Sequence, residues 1–307
     1  GQLTTLARSA GDVVHQLQRE RGMSAGFIGA RGQQFRDEII VQRKLTDDAL
    51  VKLNQALASA DTNVTQGNVA ATLSMFKDNI QSLDATRNAI SALNIDAITS
   101  TQFYTQTISG LLSFVGGIGQ LSASGPMVNE LAAFYSLLNL KEQAGIERAL
   151  LTNVFSVDRF SNGQFRMLSD VVGKQEAWLT ATRRFSSVSQ AAELDKALQS
   201  SEAAHALELR TIALNKAQDG GFGVKPTDWF TAQTRRIEIL RQVETQAADA
   251  LLAHSAALAH NARIDWQSFL AISLIALFIA IAFAVMVVRS IQQQLNKTLQ
   301  TINEMDG

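Results

Sequence analysis

Residues Phe269 to Val288 form a run of 20 uncharged, almost wholly apolar residues, FLAISLIALFIAIAFAVMVV. A helix of that length spans the hydrocarbon core of a bilayer, about 30 Å thick. The run therefore predicts a membrane span, with a large domain before it and a short connector after it. Between Thr227 and Asp306 there is no Gly or Pro. One helix, about 120 Å long at about 1.5 Å per residue, is therefore expected to run from the domain through the span into the connector. The predicted division is a sensor domain over 1–265, a transmembrane helix over 266–288 and a linker from 289 to 307. Arg289 and Lys297 follow the span with no acid before Glu304, whereas Asp265 offsets Arg263 ahead of it. That asymmetry places the C-terminal side in the cytoplasm and the domain outside the inner membrane of a bacterial cell, with a further membrane segment expected before Gly1.

The remainder reads as all-helical. Ala, Leu, Gln, Glu and Arg are scattered densely, there are only two prolines, and period-two alternation of apolar residues is hard to find. Breaks at Arg31-Gly32, 61–67, Asn94, 122–126, 161–163 and 219–226 delimit eight helices: 2–30, 32–60, 68–93, 97–121, 127–160, 163–188, 190–218 and 227–306. Eight helices with short connections suit two stacked antiparallel four-helix bundles. The net charge of −1 gives no general pull toward nucleic acid, and none is expected as a partner. With no cysteine there is no disulfide or thiolate site. The four histidines fall in no metal-ligand spacing, and phosphate-loop and nucleophile-elbow motifs are absent. Catalysis, a cofactor and a metal are therefore not expected.

A repeat links two distant helix pairs. Glu20-Arg21 is followed by Phe27 and then by Gly32-Gln-Gln-Phe35-Arg36, and Glu147-Arg148 by Phe155 and then by Gly163-Gln-Phe165-Arg166. Gln42 and Gln175 lie further along in each copy. Duplication of a helical hairpin accounts for the shared order.

Leu17-Gln-Arg-Glu-Arg-Gly-Met-Ser-Ala-Gly26 with Gln42 to Asp47, Ile146 to Leu150 with Phe155 to Phe160, and Trp229-Phe with Thr234-Arg-Arg-Ile237 resemble the signatures of the NIT domain. This is the nitrate- and nitrite-sensing domain of bacterial receptors. The resemblance covers about residues 10–250 and implies two four-helix bundles that bind the anion through arginines. The segment after the span resembles the start of a HAMP relay. Leu295 and Ile302 are spaced as a heptad, as are Ile291, Thr298 and Met305, although the proline usual after the membrane is missing. Together these resemblances imply the sensing half of a homodimeric transmembrane receptor, most closely a chemotaxis receptor, that passes a helix displacement to cytoplasmic signalling proteins. A histidine kinase or diguanylate cyclase sensor, or a membrane-anchored scaffold for another protein, are the alternatives.

Guanidinium suits nitrate because both are planar and weakly hydrated, and its fork of donors engages two oxygens at once. Arg21 and its repeat partner Arg148 are the first candidates, with Arg19 beside the former and Arg235 or Arg236 on the last helix. Gly22, Ala25, Gly26 and Gly29 form a small-residue face next to Arg21 that lets a backbone or an anion come close.

Overall fold

The computed structural model describes residues 1–60, 67–122 and 124–305, the side chains of 68 and 298–305 excepted. Among these residues all regular structure is helical: α1 (Gln2–Gly29), α2 (Arg36–Ala58), α3 (Gly67–Ile80), α4 (Leu83–Ser91), α5 (Ala97–Gly119), α6 (Gly125–Val157), α7 (Gln164–Phe185), α8 (Val188–Leu198), α9 (Ser201–Asn215) and α10 (Pro226–Met305). The chain divides into two units, 1–255 and 256–307.

In the first unit α1, α2, α3 with α4, and α5 form one four-helix group, and α6, α7, α8 with α9, and the beginning of α10 form the other. The expected all-α, two-bundle architecture is the observed one. Helix α6 is the hinge of the packing. Leu137, Leu138, Leu140 and Ala144 are buried on different sides of it, because α1, α5, α7 and α10 all pack against it. Such a helix must be apolar nearly all round, and it is, save for the charged residues discussed below. The core of the second group rests on Trp229 at 0% exposure, its ring edge-on to Phe155 and its indole nitrogen donating to the Arg148 carbonyl at 3.0 Å.

Two expected helices are each observed as a pair. The 190–218 segment breaks at Gln199-Ser200, where Ser200 adopts extended backbone and its hydroxyl accepts from the Ala203 amide to cap α9. The 68–93 segment breaks at Gln81-Ser82 without such a cap, so no local residue marks the turn. The helix expected from residue 32 begins only at Arg36. Gly32 and Phe35 both take left-handed backbone there, and the Phe35 ring lies over the Gly26 backbone, where a Cβ would fall 2.6 Å from it. The 219–226 loop is held onto α6. The Gly221 amide donates to the Asp158 carbonyl at 3.0 Å and the Phe222 amide to the Asp158 carboxylate at 2.8 Å, which seats Phe222 against Phe155 and Phe160. The expected breaks at 61–67 and 122–126 fall partly outside the described residues.

The second unit is helical from 256 to 305, and every side chain described in it is exposed. Helix α10 is the one described helix long and apolar enough to cross a membrane by length and composition. Of the expected heptad seam, Thr298, Ile302 and Met305 lie outside the described side chains, as does Glu304, and Gly307 lies outside the described residues.

Candidate anion site between the repeated arginines

The duplicated Glu-Arg pairs divide their labour between the two residues. Glu20 and Glu147 are completely buried. Glu20 accepts from Arg87 through Nε at 2.7 Å and Nη2 at 3.0 Å, and from the Tyr104 hydroxyl at 2.9 Å. Glu147 accepts from Arg210 through Nε and Nη2, from Gln175 at 2.8 Å and from Gln233 at 3.0 Å. Buried carboxylates persist only when paired and hydrogen-bonded; Glu20 ties three helices together and Glu147 four. Arg87 and Arg210 were not among the expected functional residues. Each lies far along the chain from its glutamate, and no local pattern signals the pairing.

The neighbouring arginines face elsewhere. Arg21 donates to Thr105 Oγ1 and Arg148 to Thr234 Oγ1, each at 2.8 Å. Both line one cavity of about 630 Å³, together with Gly22, Ala25, Gly26, Gly29, Phe35, Asn153 and Phe230. Helices α1 and α6 cross closely here through reciprocal glycines. A Cβ on Gly22 would lie 3.2 Å from Arg148 Nη2, and one on Gly145 would lie 3.1 Å from Arg21 Nη2. Absence of side chains at these two positions is what lets each guanidinium reach across to the other helix.

The two cations are not equally compensated. Arg21 forms a two-pronged ion pair with Glu142, at 2.6 Å to Oε1 and 3.0 Å to Oε2, and Gln18 also donates to Glu142 at 2.8 Å. Arg148 has no ion pair among the described residues; its guanidinium lies 4.7 Å from the centre of the Phe230 ring. Burial, and then the nearby Arg21 charge, push the Arg148 guanidinium down to about 10, against partial support from Glu238 and Glu142. A desolvated and incompletely compensated cation in a cavity marks a candidate site for an anion.

Of the five expected arginines, then, the structure brings Arg21 and Arg148 together and separates the others. Arg19 is exposed on α1, two residues from Arg21 and thus on a different sector of the helix. Arg235 is exposed and lines a surface groove beside Ser201, Glu202 and Asp228. Arg236 is buried in the Glu147 network, donating to Gln175 Oε1 at 2.9 Å with its Nε unpartnered. The histidines cluster with no metal-ligating set among the described residues.

These features define an all-helical domain with a duplicated arginine pair lining one cavity. A family model described as nitrate and nitrite sensing matches residues 12–252, and the chain belongs to that family, the NIT domains. It is 28% identical over 270 residues to the nitrate regulatory protein of Klebsiella oxytoca, an alignment covering 86% of this chain and 67% of that protein. Among solved structures it resembles that of the NasR transcription antiterminator, with a TM-score of 0.77, 27% identity, and coverage of 84% of this chain and 69% of the other. Both relatives are regulators by name. They overturn the expectation of a transmembrane chemoreceptor, together with the kinase, cyclase and scaffold alternatives. The expectation that excluded nucleic acid is overturned as well, since an antiterminator acts on transcription. The HAMP resemblance finds no counterpart in either relative's description.

Proposed function

We propose that residues 1–265 are the nitrate- or nitrite-sensing part of a regulatory protein, and that the anion binds between Arg21 and Arg148. The observation that supports this most directly is the charge imbalance at the cavity: Arg21 and Arg148 line it, Glu142 pairs with Arg21 from behind, and Arg148 has no ion pair among the described residues. An anion seated there would accept from the free edges of both arginines and relieve their mutual repulsion. Three or four charge-assisted hydrogen bonds, about 1.5–3 kcal/mol each, are enough to reach a micromolar dissociation constant, about −8 kcal/mol. The apolar run in 266–288 then inserts in a cell membrane, with 289–307 as a linker beyond it; recovery of the full chain in the supernatant after alkaline carbonate washing of membranes would contradict that assignment. Calorimetric titration of the full chain in detergent with nitrate, nitrite and chloride tests the sensor reading. Saturable heat with nitrate or nitrite and none with chloride is expected, and no heat at millimolar nitrate and nitrite refutes it.

A further inference from the structure

We infer that Glu142 sets the charge class of ligand the pocket admits: by cancelling Arg21 it leaves a single net positive charge, which accepts a monoanion and rejects a dianion. This rests on the reading of the pocket as an anion site.

The repeat shows where the asymmetry comes from. His15-Gln16 precedes Glu20-Arg21 at the spacing by which Glu142-Gln143 precedes Glu147-Arg148. The second copy thus carries a carboxylate where the first carries an imidazole. Glu142 projects from α6 and engages Arg21 of the first copy on α1. His15, at the equivalent place in the repeat's order, lies near Lys141, Arg241 and Arg19 and brings no negative charge. Burial, then Lys141, Arg241 and Arg19, drive its imidazole down to about 2, so it is neutral at any physiological pH.

Buried charge must be nearly balanced to be tolerated. Glu142 is 4% exposed and Arg21 7%, so solvent screens neither well. Glu238, the other acid that acts on Arg148, is exposed and therefore screened. With Arg21 and Glu142 cancelled, nitrate beside Arg148 closes the charge count at zero. Sulfate would leave an excess negative charge facing the Glu142 carboxylate across the Arg21 guanidinium. Glu142 does not line the cavity, so it acts as a positioning and selectivity residue behind Arg21. A glutamine at 142 is nearly isosteric but keeps one acceptor oxygen, which can go on accepting from Gln18 and Arg21 Nη2 while Arg21 Nη1 is released.

The test is titration of the full chain in detergent, wild type against Glu142→Gln and Glu142→Asp, with sodium nitrate and sodium sulfate at equal ionic strength, helicity being checked by circular dichroism. The wild type and Glu142→Asp are expected to prefer nitrate at least tenfold. Glu142→Gln is expected to bind both anions more tightly and to shift the preference at least tenfold toward sulfate. An unchanged preference in folded Glu142→Gln overturns the assignment, and so does wild-type protein that binds sulfate as tightly as nitrate, or a lost preference in Glu142→Asp. Absence of heat with either anion in all three proteins instead removes the pocket itself as an anion site, and this inference with it.

Discussion

Replacing Arg148 by Met separates ligand recognition from folding. The side chain keeps an unbranched apolar stem and loses the guanidinium with its charge. What the fold gives up is one charge-assisted hydrogen bond to Thr234 at 2.8 Å and a stacked contact with Phe230 at 4.7 Å. These are worth about 1.5–3 kcal/mol and about 0.5–1 kcal/mol. What it recovers is the cost of holding a desolvated cation beside Arg21. The fall from 12.5 to about 10 corresponds to about 3 kcal/mol at about 1.4 kcal/mol per pH unit, present at neutral pH because the group is charged in both folded and unfolded chains. The two sides nearly cancel, so anion-free stability should change by no more than about 1 kcal/mol. Ligand-linked stability behaves differently. Nitrate at one hundred times its dissociation constant stabilises wild type by about 2.7 kcal/mol, or about 5–10 °C in melting temperature for a domain of this size. Arg148→Met should abolish that increment. Thermal unfolding followed by circular dichroism, with nitrate and with chloride at matched ionic strength, measures both quantities. A variant destabilised by more than 2 kcal/mol without nitrate, yet retaining the full nitrate increment, would show that Arg148 is a structural cation and would refute the reasoning.

Three further outcomes are expected. Glu147→Ala leaves Arg210 and Arg236 buried around a missing carboxylate and should cost about 3–5 kcal/mol in denaturant unfolding, whereas a loss below 1 kcal/mol would mean that water replaces the carboxylate at no cost. His15 titrates near 6.5 when unfolded but only near 2 when folded, so the unfolded chain binds the extra proton and stability falls as pH drops below about 6.5. From there to pH 5 the loss is about 2 kcal/mol, and His15→Gln should flatten that part of the stability profile; parallel profiles would exclude the effect. Gly22→Ala puts a methyl group 3.2 Å from Arg148 Nη2, so it should weaken nitrate binding severalfold with little change in stability, and equal affinities by calorimetry would show that the guanidinium yields without consequence.

The helical class, the two-bundle grouping and the pairing of Arg21 with Arg148 were legible in the sequence because each is written locally. Helices announce themselves by period and by Gly-containing turns, and the duplicated Glu-Arg order points to equivalent positions in two bundles. Ser200 was misread because a cap residue inside an apolar-periodic segment looks like any exposed serine until its hydroxyl is seen to accept from Ala203. The partners of Glu20 and Glu147 were not legible at all. Arg87 and Arg210 are 67 and 63 residues from them, and only packing decides which arginine meets which acid. Arg235 and Arg236 adjoin each other in a matched signature, yet one faces solvent and the other the core, since consecutive helical residues point about 100° apart. The function was misjudged for another reason. The apolar run constrains where a segment can lie, but says nothing of what the attached domain regulates.

Duplication followed by divergence, at 15 and 142 among other positions, gives the arginine pair an acid on one side. An acid at 15 would lie among Lys141, Arg241 and Arg19, so of these two positions 142 is the one that bears on the arginine pair. With an acid at neither, two unscreened guanidinium groups would repel across reciprocal glycines that permit no retreat toward the helix axis. With Glu142 present, Arg21 is paired while Arg148 has no ion pair among the described residues. The same logic accounts for the two fully paired glutamates one residue earlier. Glu20 and Glu147, one residue before each arginine, tie α1 and α6 to their neighbours and so hold the backbone from which Arg21 and Arg148 reach the cavity.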